Sequence, residues 1–460
     1  MGSTKESTQA QACPQLTGRG YYIFVTEACN LRCSYCFVRA KVNTRHLGQT
    51  MADNVLAFIK KDAADLKNVY IHFFGGEPLI RALTVEFLAR EFRAWAAEKH
   101  IALRLGITTN GTLLTIANCE MLRQYDIGVQ LSLDGSQEGN DVHRQVMGGS
   151  QAGMQLSGAF RLVKIGNYLT YFGRKRPNCR MTVTTQNLSY MAQSIRDLHA
   201  MGFKSFSIIP DADSGEWGRG RLAEYEGEME KVLEYWASQH GDIEINAINQ
   251  TIERLKRRQQ IAHICRAGTT VLGITVDGDV YPCHDIAGRF SHDPAERAKL
   301  VMGNVETGLA AVPAMLQDLS AAGMMSEDGR DCSACWARYA CRRGCPYTNY
   351  AHSANPRAVN ATYCAMTRIN ATLAMRWMYA SESYKLLDQR EVESIKKKLA
   401  TAVMNLTGGP DHAPFGRGKN GNALLPGPAH MERLGFNVFR PVRGAPRPQP
   451  VDRNMSEAGP

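Results

Sequence analysis

Short runs of β-branched and aromatic residues alternate with longer stretches of helical periodicity through the first half of the chain. Residues 21–25, 69–74, 103–108, 128–133, 180–185 and 204–209 read as six strands, each running into polar or glycine-containing sequence. Amphipathic segments at 52–65, 85–99, 118–125, 154–168 and 190–201 occupy the intervals. This alternation predicts an α/β fold with parallel strands and right-handed crossovers. Six units suit an open, partial, TIM-like (β/α)6 barrel better than a closed eight-fold one.

In such a barrel the chemistry collects at the C-terminal ends of the strands, where the βα loops converge. Strand one runs into TEACNLRCSYC, strand two into GGEP, strand three into TNG and strand four into DG, so four unusual loops fall on one rim. After residue 211 the rhythm stops. A helical stretch over 222–260 leads to a cysteine-rich region between Cys265 and Cys364, and another helical pattern covers 370–405. Residues 406–460 hold nine glycines and nine of the 18 prolines, which predicts mostly irregular structure, with 429–439 patterned to dock locally.

At 44% hydrophobic and 21% charged, 460 residues are enough for two or three cores and exclude a disordered chain. The first twenty residues contain no apolar run of signal-peptide length, and no later stretch approaches the roughly 18 consecutive apolar residues of a membrane span. A cytoplasmic chain with no membrane partner is expected. The formal charge of +10 is spread along the sequence; its densest run, at 254–260, reads as a solvated helix face, and no nucleic-acid partner is expected. Thirteen cysteines are too sparse for a disulfide-stapled miniprotein and too many for incidental use. In a reducing compartment, clustered thiols read as metal ligands or redox groups.

Cys29, Cys33 and Cys36 form C-x3-C-x2-C directly after the first strand. Three thiolates on one loop can hold three irons of a cubane cluster and leave the fourth open, whereas a structural zinc site takes a fourth protein ligand. The loop resembles the signature of the radical S-adenosylmethionine (SAM) enzymes, and the partial barrel is similar to that superfamily's fold. The resemblance implies a 4Fe–4S cluster whose open iron is chelated by the methionyl group of SAM, and reductive cleavage of SAM to methionine and a 5′-deoxyadenosyl radical that abstracts a substrate hydrogen. It places SAM against Gly75, Gly76, Glu77 and Pro78, which resemble the family's GGEP motif, and against Asn110, Gly111, Ser132 and Asp134 at the ends of strands three and four. Arg144 matches an arginine directed at the SAM carboxylate, and Tyr35 matches an aromatic position beside adenine.

The second region reads Cys265, twelve residues, Gly278, four residues and Cys283, then Cys332, Cys335, Cys341 and Cys345 as C-x2-C-x5-C-x3-C, then Cys364. It resembles the seven-cysteine pattern of the SPASM domain. That resemblance implies a first auxiliary cluster on Cys265, Cys283 and Cys345 and a second on Cys332, Cys335, Cys341 and Cys364, both expected as 4Fe–4S and making three clusters in all. The fourth position of the first is left open, to water, to a substrate thiolate, or to Asp285 or His284. Two structural zinc sites are permitted by spacing alone, although seven thiols fit two closed four-ligand sites poorly. Of the remaining cysteines, Cys119 and Cys179 read as packing residues and Cys13 as a free thiol.

The resemblance covers about residues 21–372 and implies a peptide or protein maturase. Its substrate would be a ribosomally made precursor peptide or a partner protein subunit, its product a thioether, carbon–carbon or ether crosslink, and its electron donor external, of flavodoxin or ferredoxin type. The short leader leaves substrate recognition to the barrel mouth, the 222–260 segment or a separate peptide-recognition protein. Anaerobic sulfatase maturation, oxidising Cys or Ser to formylglycine, is the runner-up. That family places an aspartate base directly after the second auxiliary cysteine, where this chain has His284 followed by Asp285, and these two are the candidate catalytic residues. The quinohemoprotein amine dehydrogenase maturation enzymes are a further point of resemblance. An iron–sulfur carrier or scaffold without SAM chemistry is the reading from another class, and the GGEP loop argues against it. The expected divisions are an extension at 1–20, a radical SAM barrel at 21–215, a helical bridge at 216–262, a SPASM domain at 263–372, a helix at 373–405 and an irregular tail at 406–460.

Overall fold

The computed structural model describes residues 17–38, 45–146, 157–174, 177–212, 217–310, 312–313, 316–317 and 321–381. Cys13, most of the expected extension, the expected helix beyond 381 and the whole Gly/Pro-rich tail lie outside the described residues. Six strands, β1 (Gly18–Thr26), β2 (Asn68–Gly75), β3 (Ala102–Thr109), β4 (Ile127–Ser132), β5 (Asn178–Val183) and β6 (Ser205–Pro210), pair side by side in chain order. Every one of these pairings is parallel. The helices α1 (Gln49–Asp62), α2 (Ala82–Lys99), α3 (Ile116–Gln124), α4 (Ile165–Phe172) and α5 (Met191–Ala200) connect them. The architecture is the partial (β/α)6 barrel expected from the alternation.

Period-two alternation divides each strand between two environments. Tyr21, Ile23 and Val25 on β1, with Ile71 and Phe73 on β2, are buried in one apolar core with Val85, Leu88 and Phe92 of α2. Each such side chain contributes about 1.5–3 kcal/mol of burial free energy. The intervening residues, Tyr22 and Phe24 on β1 and Tyr70 and His72 on β2, form the opposite face, where rings pack on rings.

The sheet does not stop at the sixth strand. Glu244–Ile245 adds in parallel beside β6, and Val271–Ile274 adds in parallel beside β1. Short antiparallel strands at Asp279–Tyr281, Gly303–Asn304 and Gly308–Leu309 continue from there. The cysteine-rich region is therefore welded to the barrel's first strand. The four-residue run VLGI was too short to stand out by periodicity. Its glycine has a packing reason, because a Cβ on Gly273 would lie 2.6 Å from the Cys283 carbonyl oxygen.

Three expected helices differ. Among the described residues of the 154–168 pattern, an α-helix starts at Ile165, after a single 3-10 turn at Phe160–Leu162. Ser157–Gly158 instead pairs with Gln145–Val146, and the Phe160 N–H donates to Asp141 Oδ1 at 2.9 Å. The 222–260 stretch divides into α6 (Arg219–Ser238) and α7 (Asn246–Arg257), because the chain turns through left-handed conformations at His240 and Gly241, with φ of 50° and 89°. Short helices α8 (His284–Phe290), α9 (Pro294–Leu300) and α10 (Pro346–Ser353) follow. The last, α11 (Ala361–Ala380), starts nine residues before the pattern at 370 and runs across the division expected at 372/373. Its Met366, Leu373, Ala374 and Met378 belong to the barrel's core, so it is a helix of both regions.

Candidate functional site

β1 ends in a turn in which Thr26 Oγ1 accepts from the Ala28 N–H at 3.1 Å, and the chain then carries Cys29, Cys33 and Cys36. The three thiols share a small apolar cluster with Leu31 and Ala159. Burial pushes the Cys29 thiol up to about 12, with Glu77, Cys33 and Cys36 adding to the effect and the Leu31 N–H, 3.4 Å from Sγ, opposing it. Arg32 braces the loop by donating to the Cys29 and Leu31 carbonyls at 2.7 and 2.9 Å. Among the described residues no three His, Cys, Asp or Glu side chains stand already converged as a metal-binding group.

The GGEP loop packs directly on this turn. A Cβ on Gly75 would lie 2.1 Å from the Thr26 carbonyl oxygen, and one on Gly76 2.1 Å from that of Ala28, so both glycines are required by the approach of the cysteine loop. The carboxylate of Glu77 is fully buried and already supplied with donors: the Leu79 N–H at 3.1 Å, Thr109 Oγ1 at 2.8 Å and the Asn110 N–H at 2.8 Å. Burial raises its pKa to about 7 against the pull of those donors. Glu77 thus clamps the ends of β2 and β3 together. Asn110 Nδ2 donates to Asn30 Oδ1 at 2.9 Å and lies 3.9 Å from Cys29 Sγ, tying the third loop to the first.

Asp134 organises the next part of the rim. Its Oδ1 accepts from Arg144 Nη2 and from the Thr182 N–H, both at 2.9 Å, and its Oδ2 accepts from the Tyr35 hydroxyl at 2.5 Å. Arg144 lies over the Tyr35 ring at 5.7 Å, and its buried Nε has no hydrogen-bond partner among the described residues. His143, which sequence reasoning passed over, joins three loops: Nδ1 is 2.6 Å from Ser34 Oγ and Nε2 is 2.6 Å from Thr184 Oγ1. Ser132 is buried at the end of β4. The rim residues expected from the sequence therefore stand together.

The seven thiols of the second region separate into two neighbourhoods. Cys283 and Cys345 are the N-caps of α8 and α10; neither side chain makes a capping hydrogen bond, but N–H groups of the following turn, of Asp285 and Ile286 and of Tyr347 and Thr348, favour the thiolate electrostatically. A helix N-terminus favours a thiolate there, although burial pushes the Cys345 thiol up to about 11. Asp285 and Cys265 act on the same thiol. In the other neighbourhood burial pushes the Cys364 thiol up to about 12, and Cys341, Cys332 and Cys335 act on it. Arg343, 2% exposed at a φ of 63°, projects among them: its N–H donates to Cys341 Sγ at 3.2 Å, while Nε and Nη1 are buried without partners. A buried guanidinium with unused donors beside four thiols fits a group of net negative charge, and the donor set is that of an iron–sulfur cluster.

His284 and Asp285 part company. The His284 ring stacks on Tyr22 at 4.2 Å and 16°, facing the barrel interior, with Nδ1 buried and unpartnered. Burial, aided by Arg180, lowers its pKa to about 3. Asp285 stays with the thiols and pairs with Arg289 at 3.4 Å. Cys119 and Cys179 are fully buried in the core.

Three thiols on the first loop of a parallel partial barrel are a donor set that fits an iron–sulfur cluster. A family model described as the Radical SAM superfamily matches residues 23–166, and one described as an iron-sulfur cluster-binding domain, SPASM, matches residues 265–336. The chain is 30% identical over 184 residues to an uncharacterized protein of Methanocaldococcus jannaschii, covering 40% of this chain and 59% of that protein's length. It is 24% identical over 341 residues to the serine-type anaerobic sulfatase-maturating enzyme of Klebsiella aerogenes, covering 69% of this chain and 77% of that enzyme. The solved structure of native anSMEcpe with bound AdoMet superposes with a TM-score of 0.62 at 17% identity, over 78% of this chain and 98% of that one, a likeness of fold. Residues 23–166 thus carry a radical SAM domain and residues 265–336 a SPASM domain, which imply SAM and iron–sulfur clusters as cofactors. No helix among the described residues is long and apolar enough to cross a membrane.

Proposed function

We propose that the protein is a maturase that installs a thioether, carbon–carbon or ether crosslink in a ribosomally made peptide or a partner protein. Bound SAM and its cluster supply a 5′-deoxyadenosyl radical that takes a hydrogen atom from the substrate, and the auxiliary clusters supply an acceptor for the second electron. Cys29, Cys33 and Cys36 hold the first cluster. Asn110 and Arg144 would face bound SAM, with Asp134 and Tyr35 fixing the arginine and Glu77 fixing the loop ends. Cys332, Cys335, Cys341 and Cys364 hold one auxiliary cluster around Arg343. Cys265, Cys283 and Cys345 hold the other, which is one thiol short.

The observation that carries the crosslinking reading is the pair after Cys283: His284 is stacked away on Tyr22, and Asp285 is tied to Arg289. A free aspartate base next to the second auxiliary cysteine is therefore not available in the form that formylglycine formation implies. A peptide substrate is supported by anSMEcpe, solved with a bound Cp18Cys peptide. The sequence likeness to the Klebsiella enzyme favours a second reading, sulfatase maturation. Coexpression with the short peptide or subunit encoded beside this gene, followed by mass spectrometry, tests the two. Loss of two hydrogens with sulfur retained and no carbonyl formed is expected; an aldehyde captured by a hydrazide would install the second reading instead.

A further inference from the structure

A cavity of ≈ 390 Å³ opens inside the barrel, lined by residues of β1 to β5 that include Tyr22, Tyr70, His72, Arg104, Gln130 and Asn178. Glycine makes the room: a Cβ on Gly106 would lie 2.5 Å from the Tyr70 hydroxyl and 2.7 Å from His72 Nδ1. Neutral polar groups on the walls are matched to one another. Thr108 Oγ1 donates to Gln130 Oε1 at 3.1 Å and so accepts from His72 Nε2 at 2.7 Å, which leaves Nδ1 to accept from the Tyr70 hydroxyl. Asn178 Nδ2 donates to Ser205 Oγ and Ser207 Oγ at 3.0 and 3.3 Å.

The cations are not matched. Arg104 lies over the Tyr70 ring at 5.7 Å and makes no hydrogen bond or ion pair with another described residue. Arg180 stands two residues beyond Asn178 on the same face of β5, next to the lining residues rather than among them; it makes none either, and Tyr22, Tyr35 and His284 lie within its electrostatic reach. No carboxylate lines the cavity. The two acids within electrostatic reach of Arg180 are engaged elsewhere, Asp134 by Tyr35, Arg144 and Thr182, and Asp285 by Arg289. A half-buried guanidinium whose only nearby acids are bonded to other groups keeps its donors for a ligand, and its planar fork matches a carboxylate. The Tyr22 ring, stacked on His284 and 4.8 Å from His72, offers an apolar wall for the stem of such a group, and the Gln130 amide nitrogen offers a further donor.

We propose that this cavity is the subsite for a carboxylate side chain, an aspartate or glutamate of the substrate peptide, gripped by Arg180 and drawn in by Arg104. The assignment rests on the reading of the protein as a peptide or protein maturase. The test is selection of short random peptides, each C-terminally blocked by its puromycin link, on the anaerobically reconstituted full-length protein with SAM. The expected result is enrichment of Asp or Glu at one position. Resynthesised peptides should bind about tenfold more weakly when that residue becomes Asn or Gln. Arg180→Gln should weaken the acidic peptide by a similar factor and leave the amide peptide unchanged, and Arg104→Gln, at an exposed position, should show a smaller loss of the same kind. Enriched peptides without an acidic position overturn the subsite and leave the maturase reading standing, as does an equal loss for acidic and amide peptides in both variants. Competition by a peptide's free terminal carboxylate, with no effect of acidic side chains, also overturns it. If no peptide is enriched at all, the maturase reading fails and the subsite with it.

Discussion

One contiguous apolar core runs through the barrel from Tyr21 on β1 to Met378 on α11, whereas the second auxiliary neighbourhood rests on two satellite cores of three buried residues each. Ile264, Met324 and Val359 pack beside Cys332 and Cys364, and Ala337, Ala340 and Ala371 pack beside Cys335. The first auxiliary neighbourhood lies between these extremes, since Cys265 and Cys283 pack on a core that includes Phe24 of β1 and Phe74 of β2. Packing defines the barrel without ligands. The outer cysteines have too little apolar burial to hold their segment alone, so metal binding and local folding should be one event there.

Iron removal is the largest expected break in this comparison. Chelation should expose the Cys332–Cys345 segment to proteolysis and hydrogen exchange while β1 to β4 stay protected; simultaneous loss of both regions would contradict the division. On the barrel side, Asp134→Asn leaves the buried Arg144 charge uncompensated and should cost about 3–5 kcal/mol in urea denaturation, with auxiliary iron retained.

Glu77 gives a pH signature. Its carboxyl has a folded pKa raised from 4.5 to about 7, so between those values the folded protein binds more protons than the unfolded chain. Stability therefore falls as pH rises across that window, by on the order of 3 kcal/mol, and Glu77→Gln should remove this slope. Urea midpoints read from Trp95 in α2 check it; identical slopes in both proteins would show that Glu77 does not carry the effect. The smallest effect expected is on the second auxiliary cluster. Arg343→Gln withdraws a buried cation and should lower its reduction potential by on the order of tens of millivolts, while the other clusters hold theirs.

Much of this was legible in the sequence because spacing carries it. The six barrel strands follow from alternation, and the rim loops follow from the ends of those strands. The assignment of the seven thiols to two clusters rests on the family resemblance; Cys345 has Cys265 and Cys283 as electrostatic neighbours, and Cys364 has Cys332, Cys335 and Cys341. What escaped the sequence has a physical reason in each case. Val271–Ile274 is a strand because β1 offers an edge, a tertiary fact invisible in four residues. Glu77 resembles a cofactor contact in its motif, yet its oxygens are taken by protein donors. Arg343 and Arg180 matter through burial and missing partners, which no one-dimensional pattern reports. The inward set Asn178, Arg180 and Thr182 was the one available signal, three polar residues in alternate positions on a strand.

The central claim is that Cys29, Cys33 and Cys36 form a SAM-dependent radical site distinct from the auxiliary clusters. Its most direct test is anaerobic incubation of the reconstituted protein with SAM and dithionite, comparing wild type with Cys33→Ala by product chromatography and Mössbauer spectroscopy. The account predicts 5′-deoxyadenosine and methionine from the wild type and none from the variant, which keeps its auxiliary iron. Turnover by the variant, or none by the wild type with all clusters intact, would contradict it.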